Sequence, residues 1–320
     1  MIENNEWKSI LEKYAIEIKE YIGNDDPSAY LISNFAILSI SGNDRYSFLQ
    51  NQFTNNITKE KTCQLSAWCN PKGKVIANFI IIDTGKCYLL IFKKNIKDYL
   101  QKKLNLYVLR SNVIIEDVSS LYFMIGFSYI EKIKSNHLVA PVNNGDIEFI
   151  DGGFLVKLPD FSGRYLLVAN NKTIEDIIYG LKGSLNFTSY SNWEKLDILS
   201  KIPWIDFENK EKYLPQMINL DKLNAVSFKK GCYTGQEVIA KVHYRGKVKR
   251  TMKLVSSKHE LYPGDHLYLD DSKMKVGDIL NSSPIRSDKD FFGLAIIKSE
   301  KLINNLYTDR LTKKRVHIIK

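Results

Sequence analysis

The chain has 320 residues, 44% of them hydrophobic and 26% charged, and a formal net charge of +10. This composition is typical of folded globular domains, and the length favours two or three compact units over a single core. The N-terminus lacks the pattern of a secretory signal, and no apolar run approaches the roughly 18–20 residues that span a bilayer. We therefore expect a cytoplasmic protein that does not enter the membrane and whose cysteines stay reduced.

The first two regions differ in their periodicity. Residues 7–22 repeat apolar side chains at the spacing of one helix face, so we assign 1–24 to an N-terminal amphipathic helix. In 25–247, short apolar strands alternate with polar helical segments, which indicates an α+β fold. The predicted strands are 35–40, 64–69, 74–82, 86–92, 113–117, 121–127, 147–150 and 153–157, and the predicted helices are 95–107 and 172–182.

The C-terminal part of the chain, 248–320, has a different pattern. Short strand-like runs alternate there with turn residues such as Tyr262-Pro263-Gly264-Asp265. Regular spacing of this kind predicts a small all-β barrel. We place the boundary between the two regions near 246–250.

The segment FKKGCYTGQE, residues 228–237, raises the question of what Cys232 does. Its surroundings lack the closely paired ligands of a zinc site and the glycine-rich pattern of a phosphate loop, so neither metal binding nor nucleotide hydrolysis is predicted. A reactive thiolate is consistent with Lys229 and Lys230, because a nearby positive charge favours the charged form of sulfur. A small buried side chain in a tight turn is the structural alternative, and the residues alone leave both open.

Several segments together resemble a known family. FKKGCYTGQE and the downstream YRGKVKR (244–250) are similar to the signature of the YgfZ family, bacterial folate-binding proteins linked to tRNA modification and iron–sulfur proteins. That family is related to the aminomethyltransferase of the glycine cleavage system. Further blocks that resemble the family, in its order, are SGNDRYSFLQNQFTNNI (41–57), CNPKGKVIANF (69–79) and IPWIDFENKEKYLPQMINLD (202–221).

The resemblance implies an aminomethyltransferase-like α+β fold. Two interleaved α+β domains, including a ferredoxin-like unit, would form a multidomain ring with the C-terminal β-barrel. It also implies a tetrahydrofolate-type ligand in a central cleft, where Phe35 and Trp193 would stack on the flat rings of the ligand. Cys232 would be the working residue, in redox chemistry or thiol exchange on a cluster or a partner. The residues that would support its loop are Lys230, Gly231, Tyr233, Gly235, Gln236, Glu237 and Arg245, with the glycines permitting a sharp turn.

The implied function is that of a monomeric accessory or regulatory protein. It would bind folate, support the thiolation of some tRNAs and maintain iron–sulfur enzymes such as those that thiolate tRNA. Direct tRNA binding is a further hypothesis, because 229–250 carries seven Lys or Arg residues against the single acid Glu237, with Tyr233, His243 and Tyr244 interleaved. A solvated face or an anchor for an anionic ligand tail is the more ordinary explanation of such a run.

The chain departs from the family pattern at three places. Phe35 stands where the family commonly has Trp, and Leu199-Ser200-Lys201 replaces Glu-Ala-Gly, which removes a carboxylate that Asp197 or Asp206 would have to supply. Ala77-Asn78 stands where the aminomethyltransferase has adjacent aspartates. Without a carboxylate to manage the proton of the folate amine, we do not expect a stand-alone aminomethyltransferase.

Overall fold

The structure is a computed structural model that describes residues 5–20, 26–57, 62–133, 138–160, 162–269, 274–286, 289–298, 306–308 and 314–319. The helices of the described chain are α1 (Asn5–Lys13), α2 (Arg45–Gln52), α3 (Lys97–Val108), α4 (Asn171–Leu181), α5 (Tyr190–Leu199) and α6 (Gln236–Arg245). The strands are β1 (Ile18–Lys19), β2 (Ser28–Ile32), β3 (Phe35–Ser41), β4 (Cys63–Cys69), β5 (Val75–Asp83), β6 (Tyr88–Lys93), β7 (Ile114–Asp117), β8 (Phe123–Ser128), β9 (Ile147–Ile150), β10 (Gly153–Lys157), β11 (Tyr165–Ala169), β12 (Asn186–Ser189), β13 (Arg250–Ser257), β14 (His266–Leu269), β15 (Lys275–Ser282), β16 (Phe291–Lys298), β17 (Leu306–Tyr307) and β18 (Arg315–Ile319).

The segment from β3 to β7 forms an antiparallel sheet in the order β4-β5-β6-β3-β7. With β4 set aside, its connectivity β3-α2-β5-β6-α3-β7 is that of a ferredoxin-like unit, in which β3 lies between β6 and β7. The predicted hairpin joins β5 to β6, and Gly85 in its turn has a φ of 81°. β5 is buried along its whole length, as its apolar sequence predicts.

A second sheet has the order β1-β12-β2-β8-β11-β10-β9. Its strands come from both sides of the ferredoxin-like unit, because β1 and β2 precede that unit in the sequence and β8 to β12 follow it. The two sheets are therefore interleaved along the chain. One cluster of buried side chains spans both of them and includes Ile37, Ile91, Val156 and Trp193. This shared core places the candidate ligand cavity between the sheets.

The predicted N-terminal helix is too long. Helix α1 ends at Lys13, Ala15 has a φ of 47°, and the chain continues into β1, where Ile18 pairs with Phe187 of β12. The apolar repeat of 7–22 therefore serves two elements that pack on one cluster, a helix and a short parallel strand. A strand paired with a distant segment leaves no local signal that distinguishes it from a helix continuation. Residues 1–4 and 21–24 of the predicted helix lie outside the described residues.

The C-terminal strands close into the predicted barrel, in the order β13-β16-β15-β14-β17-β18. Its interior holds a cluster of buried apolar side chains, among them Val255, Leu267 and Ile297. The turn at 262–265 is also as predicted, since Gly264 has a φ of 93° and the Asp265 N–H donates to the Tyr262 carbonyl.

The barrel is hydrogen-bonded to the rest of the protein at several points, one of which is the backbone of Trp204. The Asn281 side chain accepts a hydrogen bond from the Trp204 N–H at 2.9 Å and donates one to the Trp204 carbonyl at 2.9 Å. Met252, Leu280 and Ile296 of the barrel belong to the core cluster of the two sheets. The barrel therefore shares both polar and apolar contacts with the region that contains the candidate site.

Candidate functional site

The cysteine motif packs on the turn formed by residues 70–73, which belongs to another of the segments that resemble the family. Gly235 precedes α6 with a φ of 83°, and a Cβ built there would lie 2.5 Å from the Asn70 carbonyl oxygen. From the other side, a Cβ on Gly73 would lie 3.1 Å from the Val238 side chain. Two of the segments that carry the family resemblance therefore form one contact, and Gly235 is required both by its backbone conformation and by the close approach.

Cys232 lies exposed on the loop before α6. Gly231 does not contribute as predicted, because its φ is outside the left-handed region and a Cβ built on it would meet no described atom within 4 Å. Cys63 and Cys69 are buried in β4, and burial raises the pKa of both thiols. Cys87 is half-buried. Among the four cysteines, Cys232 is thus the one presented to solvent.

Lys230 anchors the cysteine loop to the segment 53–55. Its Nζ donates hydrogen bonds of 2.7 Å to the backbone carbonyls of Phe53 and Asn55, and it lies 5.3 Å from the centre of the Tyr233 ring. Burial lowers the pKa of this amine to about 7. The amine is therefore occupied by the backbone of the segment 53–55, and Lys229, which is exposed, is the lysine of the pair that faces solvent.

The remaining motif residues have positions that suit structural roles. Tyr233 is buried and so is not part of a surface strip, while the Gln236 side chain donates to the Lys230 carbonyl over 3.4 Å. Glu237 is in the first turn of α6 and Arg245 in its last turn, where their charges oppose the helix dipole favourably. Tyr233 and Gln236 therefore stabilise the loop, and Glu237 and Arg245 favour the helix that follows it.

Phe35 and Trp193 line one cavity between the two sheets. The cavity measures about 20 Å³, which is room for about one water molecule. Trp193 lies against Gly126, where a Cβ would come within 2.3 Å of the indole ring. Phe35 is 6% exposed and packs edge-to-face on Trp204 with the ring centres 4.7 Å apart. Both aromatic residues are core side chains here, and a pterin ring would enter this inner cavity only if they moved.

A buried ion pair forms the polar wall of the inner cavity. Arg164 Nη2 lies 2.8 Å from Asp197 Oδ1, although its N–H is not aligned with that oxygen, and Asp197 Oδ2 accepts from Trp204 Nε1 at 2.8 Å. Burial raises the pKa of the Asp197 carboxyl despite the neighbouring guanidinium. Arg164 Nη1 has no hydrogen-bond partner among the described residues. A buried donor in this state suits a polar group of a ligand or a water molecule.

A much larger cleft opens next to this cavity and shares Phe35 with it. It measures about 1010 Å³ and is also lined by Trp7, Tyr190, Lys94 and Glu194. Pockets for organic ligands commonly reach this size. Aromatic side chains beside a lysine fit a ligand with flat rings and an anionic tail, so the residues present are compatible with a tetrahydrofolate.

The other candidate carboxylates have separate positions. Asp206 accepts from the backbone N–H groups of Glu208 and Asn209 and lines a third cavity of about 100 Å³, which also includes Asp197. Leu199, which stands in place of the family's glutamate, is 37% exposed. Asp197 therefore borders both inner cavities and is the better placed of the two candidates to replace that carboxylate.

Asn78 has a structural role. Its Nδ2 donates to the Pro203 carbonyl at 2.8 Å, and its Oδ1 accepts from the Ile205 N–H at 2.8 Å. A carboxylate has no N–H to donate to Pro203, so the two hydrogen bonds explain why an amide occupies this position. The side chain binds the same segment that holds Trp204 in the cavity wall.

The sequence-based prediction named His243 and Tyr244 but missed that Phe228 joins them in an aromatic cluster beside the cysteine loop. Phe228 and His243 stack nearly in parallel, with an interplanar angle of 13° and ring centres 3.6 Å apart, and Tyr244 lies edge-on to His243 at 4.8 Å. Phe228 belongs to the quoted motif, but its contact with the last turn of α6 depends on how that helix packs against the loop. A helical period over 236–245 was the one signal that could have found it.

Two kinds of feature are not found in the described part of the chain. No group of three or more His, Cys, Asp or Glu side chains there is arranged to hold a metal ion. No helix among the described residues has the length and apolar character needed to cross a membrane.

Comparison with known proteins places the fold and then the family. Aminomethyltransferase T of the glycine cleavage system from Bartonella henselae superposes with a TM-score of 0.75 at 10% identity, covering 100% of this chain and 97% of that one, which shows an aminomethyltransferase-like fold. The tRNA-modifying protein YgfZ of Enterobacter sp. (strain 638) is 31% identical over 229 residues, 69% of each chain. The protein of the same name from Buchnera aphidicola is 33% identical over 240 residues, 73% of this chain and 74% of that one. No family model matches, but these relatives show that the chain belongs to the YgfZ family.

Proposed function

We propose that this chain is a tetrahydrofolate-binding accessory protein that supports the modification of tRNAs, including their thiolation, and the maintenance of iron–sulfur enzymes. Its relatives are named tRNA-modifying proteins. The observation that carries the folate part is the cleft of about 1010 Å³ that meets the inner cavity at Phe35. Tyr190 and Lys94 in the cleft would hold the ligand. Arg164 and Asp197 lie in the inner cavity, which the ligand would reach only if Phe35 and Trp193 moved.

A bound tetrahydrofolate would supply its N5 and N10 amines as carriers of a one-carbon unit. The residues of this chain bind and orient such a ligand but offer no carboxylate at position 78 to manage a proton. Asn78 therefore supports an accessory function and argues against aminomethyl transfer. Cys232, exposed on a loop that is anchored by Lys230 and Gly235, is the proposed reactive thiol.

Titration calorimetry with a reduced folate tests the ligand. Phe35→Leu should weaken the affinity about 5- to 10-fold, because it removes an aromatic contact from the junction of the two cavities. Phe35→Trp, the residue common in the family, should retain binding. Phe207→Leu is the matched control, because Phe207 is 43% exposed and outside the cleft lining. Wild-type protein that takes up no reduced folate at millimolar concentration would rule out the folate assignment.

A further inference from the structure

The aromatic cluster on α6 is exposed. Tyr244 is 66% exposed, His243 is also exposed, and Phe228 is half-buried beneath His243. We call Phe228, His243 and Tyr244 the aromatic platform. The stack of Phe228 and His243 fixes the platform to the cysteine loop, because Phe228 precedes Cys232 by one short turn of chain. A stacked pair of rings with a third ring open to solvent is a surface on which another flat group can pack.

Positive charge is concentrated in the chain segment that carries His243 and Tyr244, although the Asp221 carboxylate is close enough to interact with His243. Of the seven cations in 229–250, Lys230 is engaged by backbone carbonyls and Arg250 lies 3.6 Å from Asp278. The one acid in this segment is Glu237. The other five cations are exposed and form no ion pair with another described residue: Lys229, Lys241, Arg245, Lys247 and Lys249. Uncompensated cations of this kind attract a polyanion.

We infer that the aromatic platform and these five cations form a binding face for the unpaired loop of a structured RNA. A base would stack on His243 and Tyr244, while the flanking phosphates contact the lysines and Arg245. The inference deepens the tRNA part of the proposed function by giving the RNA a contact surface and placing it beside Cys232. An acidic protein surface would use the cations but would leave the exposed ring faces without a flat partner, so RNA is the better match.

Fluorescence anisotropy of the full-length protein with a labelled anticodon stem-loop RNA tests this inference. The variant His243→Ala/Tyr244→Ala should weaken binding roughly 5- to 150-fold, the range measured for removal of one stacked base. A fully paired RNA duplex of the same length should bind more weakly than the stem-loop, and its affinity should not depend on the platform. In Lys241→Ala/Arg245→Ala/Lys247→Ala, the slope of the logarithm of affinity against the logarithm of salt should fall by about 0.7 to 0.9 for each phosphate that the variant no longer neutralises.

Helix α4 offers a control on a different surface. Tyr179 is 69% exposed there, and Lys172 and Lys182 are exposed at its two ends. The triple variant Lys172→Ala/Tyr179→Ala/Lys182→Ala removes one ring and two charges from a different surface, so its RNA affinity should match that of the wild type. The inference is overturned if the platform variant binds like this control or if the duplex binds as well as the stem-loop.

Two further readouts separate this inference from the folate assignment. The platform variant should keep the wild-type affinity for a reduced folate, and Tyr244→Phe should keep RNA binding because the ring is retained. If the wild-type protein binds folate but no RNA at about 50 mM salt, the RNA-binding face is rejected. An acidic protein would then be the partner that the cations bind. If the platform variant loses folate binding as well, Tyr244→Ala alone decides the question, because removal of an exposed side chain spares the fold.

Discussion

Gly235 lies against Asn70 so closely that a Cβ on the glycine would be 2.5 Å from the asparagine carbonyl oxygen. Gly235→Ala should therefore lower the free energy of unfolding by about 2–3 kcal/mol, because it adds a backbone clash to a strained positive φ. Gly231→Ala is the matched change in the same loop and should cost less than about 1 kcal/mol, since a Cβ at 231 meets no described atom within 4 Å. Urea unfolding of the two variants tests the difference, and equal stabilities would contradict it.

The thiols should differ in their rates of alkylation. Cys232 should react first, the half-buried Cys87 later, and Cys63 and Cys69 only on unfolding, because burial both shields them and raises the pKa of each. Mass spectrometry after a timed pulse of iodoacetamide gives the order. A slow Cys232 would show that the thiol is not accessible in solution.

Substitution of the cysteine tests its role in cells. Cys232→Ala should change the free energy of unfolding by less than about 1 kcal/mol, because the side chain is exposed. It should nonetheless abolish support of tRNA thiolation in a strain that lacks this protein. Cys87→Ala is the control and should restore thiolation, as measured by mass spectrometry of tRNA nucleosides. Full restoration by Cys232→Ala would make the thiol dispensable.

Lys230 should make stability depend on pH. Burial lowers its pKa from 10.5 to about 7, so between these values the unfolded chain binds a proton that the folded chain does not. The free energy of unfolding contributed by this group should therefore rise with pH above about 7, by about 1–2 kcal/mol over two pH units after allowance for solvent screening. Lys230→Met should lack this rise. Urea midpoints of both proteins at pH 7 and 9 provide the measurement, and parallel pH profiles would contradict it.

Asn78→Asp should destabilise the protein without creating a transferase. The change removes the donor to the Pro203 carbonyl and buries a carboxylate, which costs about 2–4 kcal/mol. Asn105→Asp is the control, because Asn105 is exposed on α3 and should shift the thermal midpoint little. Aminomethyl turnover with tetrahydrofolate by either the wild type or Asn78→Asp would contradict the accessory function.

The strands of the ferredoxin-like unit were predictable from the sequence because their signal is local. β3 to β6 begin and end within two residues of the predicted bounds, since each is a short apolar run between turn residues. The strands β1 and β12 were not predictable in this way, because they pair with each other across a long stretch of the chain. The hydrogen bonds of Lys230 could not be predicted either, because nothing in the neighbouring sequence indicates that the carbonyls of Phe53 and Asn55 lie next to its amine.

The candidate site divides in the same way. Phe35 and Trp193 line one cavity, but the resemblance did not indicate that both would be almost fully covered by other side chains. Burial depends on the partners that the fold supplies, such as Trp204 over Phe35 and Gly126 under Trp193. Those partners lie on other segments of the chain.

The paired hydrogen bonds between Asn281 and the Trp204 backbone tie the C-terminal barrel to the wall of the inner cavity. Trp204 touches Phe35 with its ring and Asp197 with its indole nitrogen, so a small rotation of the barrel would displace both at once. A chain truncated before Arg250 would lose this brace and expose apolar side chains of the shared core. The last seventy or so residues are consequently needed to keep the cavity wall in place. A partner that binds the barrel could therefore change the shape of the cavity.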